Sequence, residues 1–243
     1  MVNPMAQLRK ESKEVVKRVE SGIPGLDEVI EGGFPAGSLN LLAGKCGTGK
    51  STFGMQFLYH GAKNENEPGL YISLEDEPAE VLDDMKRFDW DLEGLIKQKK
   101  LSIINPELTK FDSFKMLIED EIDRIGAKRL VIEPFSLISA YFDNVYDTRR
   151  SLATLRRLIK KLGCSTLVIA DIREGEQTFS PTGFEEFVVS GVIVLDVILK
   201  KDSSSFVRTA FVRKMETTNH SLKLIPMEIG EEGIAVYPDA EVF

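Results

Sequence analysis

Gly44-Lys45-Cys46-Gly47-Thr48-Gly49-Lys50-Ser51 fits the pattern G-x-x-x-x-G-K-[ST], and the reading of this run decides the fold. The apolar stretch Leu39-Asn40-Leu41-Leu42-Ala43 precedes it and predicts a buried strand. Ser51-Thr52-Phe53-Gly54-Met55-Gln56-Phe57-Leu58 follows it and predicts a helix. Strand, glycine loop and helix together form a phosphate cradle. Backbone N–H groups curl toward a polyphosphate, and the helix N-terminus adds partial positive charge. Gly44, Lys45, Cys46, Gly47, Thr48, Gly49, Lys50, Ser51 and Thr52 are the expected nucleotide-binding residues. Lys50 would reach the β and γ phosphates, and the Ser51 hydroxyl would hold Mg²⁺.

Beyond the loop the pattern alternates. Strands are expected at residues 69–74, 101–104, 129–132 and 166–170, and helices at 78–88, 111–125 and 148–162. Pro78 suits the first turn of its helix. The last of these helices carries the stripe Leu152, Leu155, Ile159 and Leu162. Such β/α alternation predicts an α/β fold with a mostly parallel sheet covered by helices on both faces. After residue 186 the pattern changes. Strands at 188–199, 206–213, 222–229 and 234–237, with short polar turns between them, predict an antiparallel C-terminal extension of the same sheet. We read residues 1–18 as a leader and 19–243 as one domain.

The bulk numbers exclude several classes. With 243 residues the chain supports a sizeable core, and 42% hydrophobic and 29% charged residues are ordinary for a globular protein. No apolar run approaches the ~20 residues of a membrane span. Residues 1–19 are polar and mixed in charge, which is not a secretory signal. The net charge of -8 argues against a broad nucleic-acid footprint. Cys46 and Cys164 are the only cysteines, so free thiols and a cytoplasmic location are expected. His60 and His220 belong to no Cys/His cluster, and no zinc site is expected.

Cleaving a phosphate needs more than a cradle. A metal, a group that orients water and stabilising charge belong at the carboxyl ends of the strands. Glu75 and Asp76 follow the strand ending Ser73-Leu74, and Glu75 is the candidate base. An acidic first turn of the next helix explains Glu75-Asp76-Glu77 equally well. Glu133 follows Val131-Ile132 and suits the metal. Asp171 follows Ala170 as a phosphate sensor or simply a polar strand end.

Taken in order, the motifs resemble the KaiC-like branch of the RecA-type ATPases. The matching text is Ser21-Gly22-Ile23-Pro24-Gly25-Leu26-Asp27, Gly32-Gly33-Phe34-Pro35, the phosphate loop, Tyr71-Ile72-Ser73-Leu74-Glu75-Asp76-Glu77-Pro78 and Arg129-Leu130-Val131-Ile132-Glu133. It continues with Gly183-Phe184-Glu185-Glu186-Phe187-Val188, Lys214-Met215 through His220, and Gly233-Ile234-Ala235-Val236-Tyr237-Pro238. The resemblance implies a RecA-type core assembled as a ring, often hexameric, with ATP and Mg²⁺ between neighbouring subunits. By position, Glu75 matches the water-activating glutamate and Asp76 its acidic partner. Lys214 and His220 match the segment that reaches the neighbour's γ-phosphate.

Three departures stand out. Glu133 occupies the metal-strand position where the family usually has aspartate. Glu216 occupies the expected arginine-finger position, a residue worth about 10³–10⁵ in rate. Cys46 replaces a small aliphatic or proline residue. Arg213 is expected on the face opposite Lys214, because side chains alternate along a strand. These departures imply an oligomeric ATPase with slow turnover. The alternatives are a non-hydrolysing nucleotide-gated scaffold with a protein partner, and a recombinase paralogue. For the last, Arg149, Arg150, Arg156, Arg157, Lys160 and Lys161, with Tyr141, Phe142 and Tyr146, suit single-stranded DNA. A solvated outer helix face is the favoured reading of that cluster.

Overall fold

The computed structural model describes residues 16–107, 110–139, 141–142, 144–173, 175, 179–180, 182–200 and 205–242. The expected leader up to residue 15 lies outside them. Arg18, assigned to that leader, is instead a strand residue. β1 (Arg18–Val19) pairs antiparallel with β2 (Phe34–Pro35). Its guanidinium donates to Thr218 Oγ1 at 2.6 Å and Thr217 O at 3.0 Å, tying the start of the fold to the turn after β9. Between β1 and β2 lies the short helix α1 (Leu26–Val29).

The body is built on parallel strands whose residues are apolar on both faces. β3 (Leu39–Gly44), β4 (Gly69–Ser73), β6 (Arg129–Glu133) and β7 (Ser165–Asp171) are buried almost throughout. β5 (Leu101–Ile104) forms one edge. The C-terminal strands are β8 (Gly191–Leu199), β9 (Phe206–Met215), β10 (Ile225–Ile229) and β11 (Ile234–Val236). Together they form a nine-stranded sheet, in the order β11-β10-β9-β8-β3-β7-β6-β4-β5. β8 runs parallel to β3, whereas β8–β9, β9–β10 and β10–β11 pair antiparallel, as expected.

Strand alternation sorts the core into two layers. Leu42, Tyr71, Val131 and Ile169 face α2 (Lys50–Asn64), α3 (Pro78–Met85) and α4 (Leu92–Lys97). Leu41, Ile72, Ile132 and Val168 face α5 (Phe111–Ile125) and α7 (Val145–Leu162). The stripe Leu152, Leu155 and Ile159 is fully buried there. Truncating any one of them to Ala would cost about 2–5 kcal/mol. α2 lies tight on the sheet because Gly54 has no side chain. A Cβ there would stand 2.9 Å from Ile169 Cδ1 and 3.1 Å from Val131 Cγ1.

Several boundaries differ from expectation. α7 begins at Val145, where Asn144 accepts from the Asp147 N–H at 3.0 Å and so caps the helix a turn earlier than the leucine stripe indicates. α6 (Phe135–Ser139) is a helix where no element was expected, and residues 188–190 precede β8 rather than belong to it. α8 (Glu185–Val188) instead ends there. Leu222 and Leu224 are exposed, and β10 starts at Ile225.

Candidate functional site

The parallel register brings the carboxyl ends of β3, β7, β6 and β4 to one edge of the sheet. Residues 45–49 leave β3 there and turn into α2. Gly49 sits at φ 99°, a left-handed conformation that closes the loop onto the helix and that other residues adopt only with strain. Cys46 and Gly47 are exposed, Thr48 is buried, and Thr48 Oγ1 donates to Lys45 O at 2.8 Å. A Cβ at Gly47 would meet nothing within 4 Å, so the loop is open toward a ligand.

Lys50 is buried and folded back into the loop. Its Nζ donates to Lys45 O at 2.9 Å and lies 3.1 Å from Asp171 Oδ1. Lys45 Nζ lies 3.4 Å from Asp196 Oδ1, just beyond the residue of β8 that pairs with Gly44. Ser51 Oγ donates to Glu133 Oε1 at 2.8 Å, and the Tyr71 hydroxyl donates to Glu133 Oε2. Burial pushes the Glu133 carboxyl above its ordinary range, although these two hydrogen bonds and the Lys50 charge oppose the shift. The Tyr71 phenol is held well above its ordinary value, first by burial and then by the Glu133 charge. Glu133-Pro134 is a cis peptide.

Glu75 and Asp76 are exposed on the loop after β4, at the same edge. The Asp76 N–H donates to Ser73 Oγ at 2.9 Å, and Asn105 Nδ2 donates to Asp76 O at 2.9 Å, which fixes the loop while leaving both carboxylates toward solvent. The acidic-turn reading also holds in part. Glu77 and Glu80 form a reciprocal capping box on α3, and Pro78 starts the helix.

These residues fit a nucleotide with its metal. The open glycine loop, a buried ammonium and a helix N-terminus suit phosphates. The all-oxygen pair of Ser51 and Glu133 suits a hard cation such as Mg²⁺.

Lys214 and His220 are not part of this cluster. β9 runs antiparallel, so its C-terminal end pairs with the start of β8 at the opposite edge of the sheet. There Lys214 Nζ donates to Val189 O at 2.6 Å and lies 3.3 Å from Glu216 Oε1. Glu216 accepts from Arg156 Nη2 at 2.5 Å, and Arg156 Nη1 also donates to Val188 O at 2.6 Å. His220 contacts Ser221 O through Nδ1 at 3.1 Å.

The expectation for Arg213 fails for a specific reason. Val192 pairs with Lys214 but Ile193 pairs with Val212, so Arg213 is the extra residue of a β-bulge. The bulge carries Lys214 round to the face of Val192. Arg213 and Lys214 therefore line one cleft of about 420 Å³ with Phe179, Glu186, Phe187 and Val192. The Arg213 guanidinium lies over the Phe179 ring, 5.8 Å from its centroid.

The basic face of α7 is turned to solvent, as both readings of that cluster expect. Arg149, Arg150, Arg157, Lys160 and Lys161 are exposed, and Lys161 pairs with Glu119 at 3.4 Å. Arg156 is engaged with Glu216. Tyr141 and Tyr146 are exposed, while Phe142 packs edge-on to Phe111.

The family model described as "ATPase: KaiC" matches residues 19–241. The chain belongs to the KaiC ATPase family. Membership carries with it the RecA-like fold and supports nucleotide binding at the loop. A UPF0273 protein of Methanocaldococcus jannaschii is 38% identical over 92% of this chain and 98% of its own length. The crystal structure of a KaiC-like protein from Pyrococcus horikoshii superposes with a TM-score of 0.83 at 40% identity, covering 92% of this chain and all of that one. A circadian clock oscillator protein KaiC of Prochlorococcus marinus is 31% identical over 95% of this chain but only 47% of its own length. This KaiC-family chain thus spans about half of that clock protein. Among the described residues no helix is long and apolar enough to cross a membrane.

Four contacts at or near these edges escape sequence reasoning. Tyr71 reads as a core strand residue, and its link to Glu133 appears only with the β4–β6 register. Asp196 leaves one signal, a lone carboxylate in an apolar strand. The Arg156–Glu216 pair spans 60 residues, and the Arg213 bulge has no sequence mark.

Proposed function

We propose that this chain is an oligomeric ATPase that hydrolyses ATP slowly, with Mg²⁺, at interfaces between subunits. The observation that carries the reading is the arrangement of Lys50, the Ser51–Glu133 pair and Asp171 at one sheet edge, with Glu75 on the adjoining loop. Lys214 and Arg213 lie at the other edge, so a neighbouring copy is the natural source of a second set of cations.

Lys50 would exchange Asp171 and Lys45 O for phosphate oxygens as ATP enters. The backbone amides of residues 45–50 would hold the phosphates without rearranging. Mg²⁺, when bound, neutralises charge between the β and γ phosphates. Ser51 and Glu133 would hold that ion. Glu75, exposed and unencumbered by cap bonds, would accept the proton of the attacking water. A neighbour's Lys214 contributes a point charge, not the planar fork of an arginine. The fork that Arg213 adds on that face stands three residues before the expected finger position, which Glu216 fills, and this supports slow turnover.

A second reading is a nucleotide-gated scaffold that signals to a protein partner. It draws on two ion pairs: Arg156 and Lys214 both engage Glu216, a network that holds this segment to α7. Steady-state hydrolysis and light scattering, with and without ATP, separate the two. The ATPase reading expects turnover abolished by Lys50→Ala and Glu75→Gln, and assembly that depends on ATP. ATP-dependent assembly with no turnover above the Glu75→Gln background would favour the scaffold.

A further inference from the structure

We propose that Tyr71 is a positioning residue that fixes Glu133 as the acidic arm of the Mg²⁺–nucleotide site. The inference rests on the reading that Ser51 and Glu133 hold the metal. It adds a residue whose only polar side-chain atom donates to the Glu133 of that pair.

The placement follows from register. Tyr71 on β4 pairs with Val131 on β6, and Glu133 is two residues further along the same face. The Tyr71 ring is 2% exposed and packed in the core layer under α2, so the phenol cannot swing away. Its hydroxyl donates to one carboxylate oxygen of Glu133 while Ser51 Oγ donates to the other. Each carboxylate oxygen keeps a second lone-pair site for a ligand. Held at both oxygens, the long arm has one orientation.

That restraint answers the chemistry of Glu at this position. Glutamate has one more rotatable bond than aspartate, and Mg²⁺ tolerates little departure from octahedral geometry. Shortening the arm by one methylene withdraws the carboxylate by about 1.5 Å. An aspartate here would sit beyond a close contact with the phenol. Tyr71 and Glu133 are therefore a matched pair: the phenol supplies to a glutamate the rigidity that a shorter residue has by construction.

Calorimetric titration of ATP into the full chain, once with Mg²⁺ and once with EDTA, tests this in wild type, Tyr71→Phe, Glu133→Asp and the double variant. We expect Tyr71→Phe to weaken Mg²⁺-dependent binding by about tenfold, the range of contacts that orient metal ligands. Binding in EDTA should stay within about twofold, a split that general loosening of the core would not give. In the Glu133→Asp background the phenol has nothing to hold, so Tyr71→Phe should add no further loss. Wild-type Mg²⁺ dependence in Tyr71→Phe, or an equal loss in both backgrounds, overturns the proposal. The metal reading fails separately if Glu133→Gln leaves the Mg²⁺ dependence intact. If Tyr71→Phe does not fold, ¹⁹F spectra of the chain labelled with 3-fluorotyrosine carry the test. The resonance moved by Glu133→Gln should move again when Mg²⁺ joins bound ATP. Absence of either shift refutes the pairing.

Discussion

Lys50 Nζ stands 3.1 Å from Asp171 Oδ1, an ion pair that joins the phosphate loop to the end of the neighbouring strand. Parallel register brings the two elements together, because Gly44 pairs with Asp171. On the proposed reading, phosphate competes with this carboxylate for the Lys50 ammonium. The Asp171 side chain is 55% exposed, so the pair is partly screened and its contribution is modest. Asp171→Asn should tighten ATP binding by about two- to fivefold, measured by calorimetry. Weaker binding in that variant would make Asp171 a ligand-holding residue rather than a competitor.

The two cysteines should behave as opposites. Cys46 is exposed in the loop, whereas burial pushes the Cys164 thiol up to about 12. At pH 8, N-ethylmaleimide should modify Cys46 alone, and ATP should slow that reaction. Cys164 should react only on unfolding. Mass spectrometry of tryptic peptides reads both outcomes.

Glu133 should trade stability for function. Its carboxyl is raised above its ordinary 4.5 by burial, so the folded chain binds that proton more tightly than the unfolded chain. The resulting stability is complete below about pH 4.5 and is lost as pH rises through the folded value. At neutral pH the buried carboxylate is a net cost. Glu133→Gln should stabilise the nucleotide-free chain at pH 7.5, with the advantage shrinking toward pH 4.5. Urea denaturation at several pH values measures this.

The bulge gives the far edge two cations on one face. Arg213→Ala and Lys214→Ala should each slow turnover by roughly tenfold or more while leaving ATP affinity nearly unchanged. Mixing either variant with Lys50→Ala should restore part of the activity, because each subunit then supplies what the other lacks. Rates that match wild type, or no recovery on mixing, would contradict a role across the interface.

The parts of this molecule governed by local pattern were legible in the sequence. The glycine loop between Leu39–Ala43 and Phe53–Leu58 is a strand–turn–helix whose periodicities change within a few residues, and the mostly parallel sheet followed from the β/α alternation beyond it. Glu75, Glu133 and Asp171 were singled out as candidates because strand ends in such sheets share one edge, and the structure places all three there. Long-range register was not legible. The phenol of Tyr71 meets Glu133 only because β4 pairs with β6, and Lys214 changes face only because one residue of β9 is unpaired. Helix starts were missed where a cap, such as Asn144, lies outside the apolar stripe.

The central claim is that the curled loop and the Lys50 ammonium grip a triphosphate. Calorimetric titration of ATP into the wild-type chain and into Lys50→Ala, at millimolar Mg²⁺, tests it most directly. Saturable heat with one site per chain in the wild type, and a loss of about 100-fold or more in affinity in the variant, is the predicted result. Equal heats in both proteins, or none in either, would contradict it.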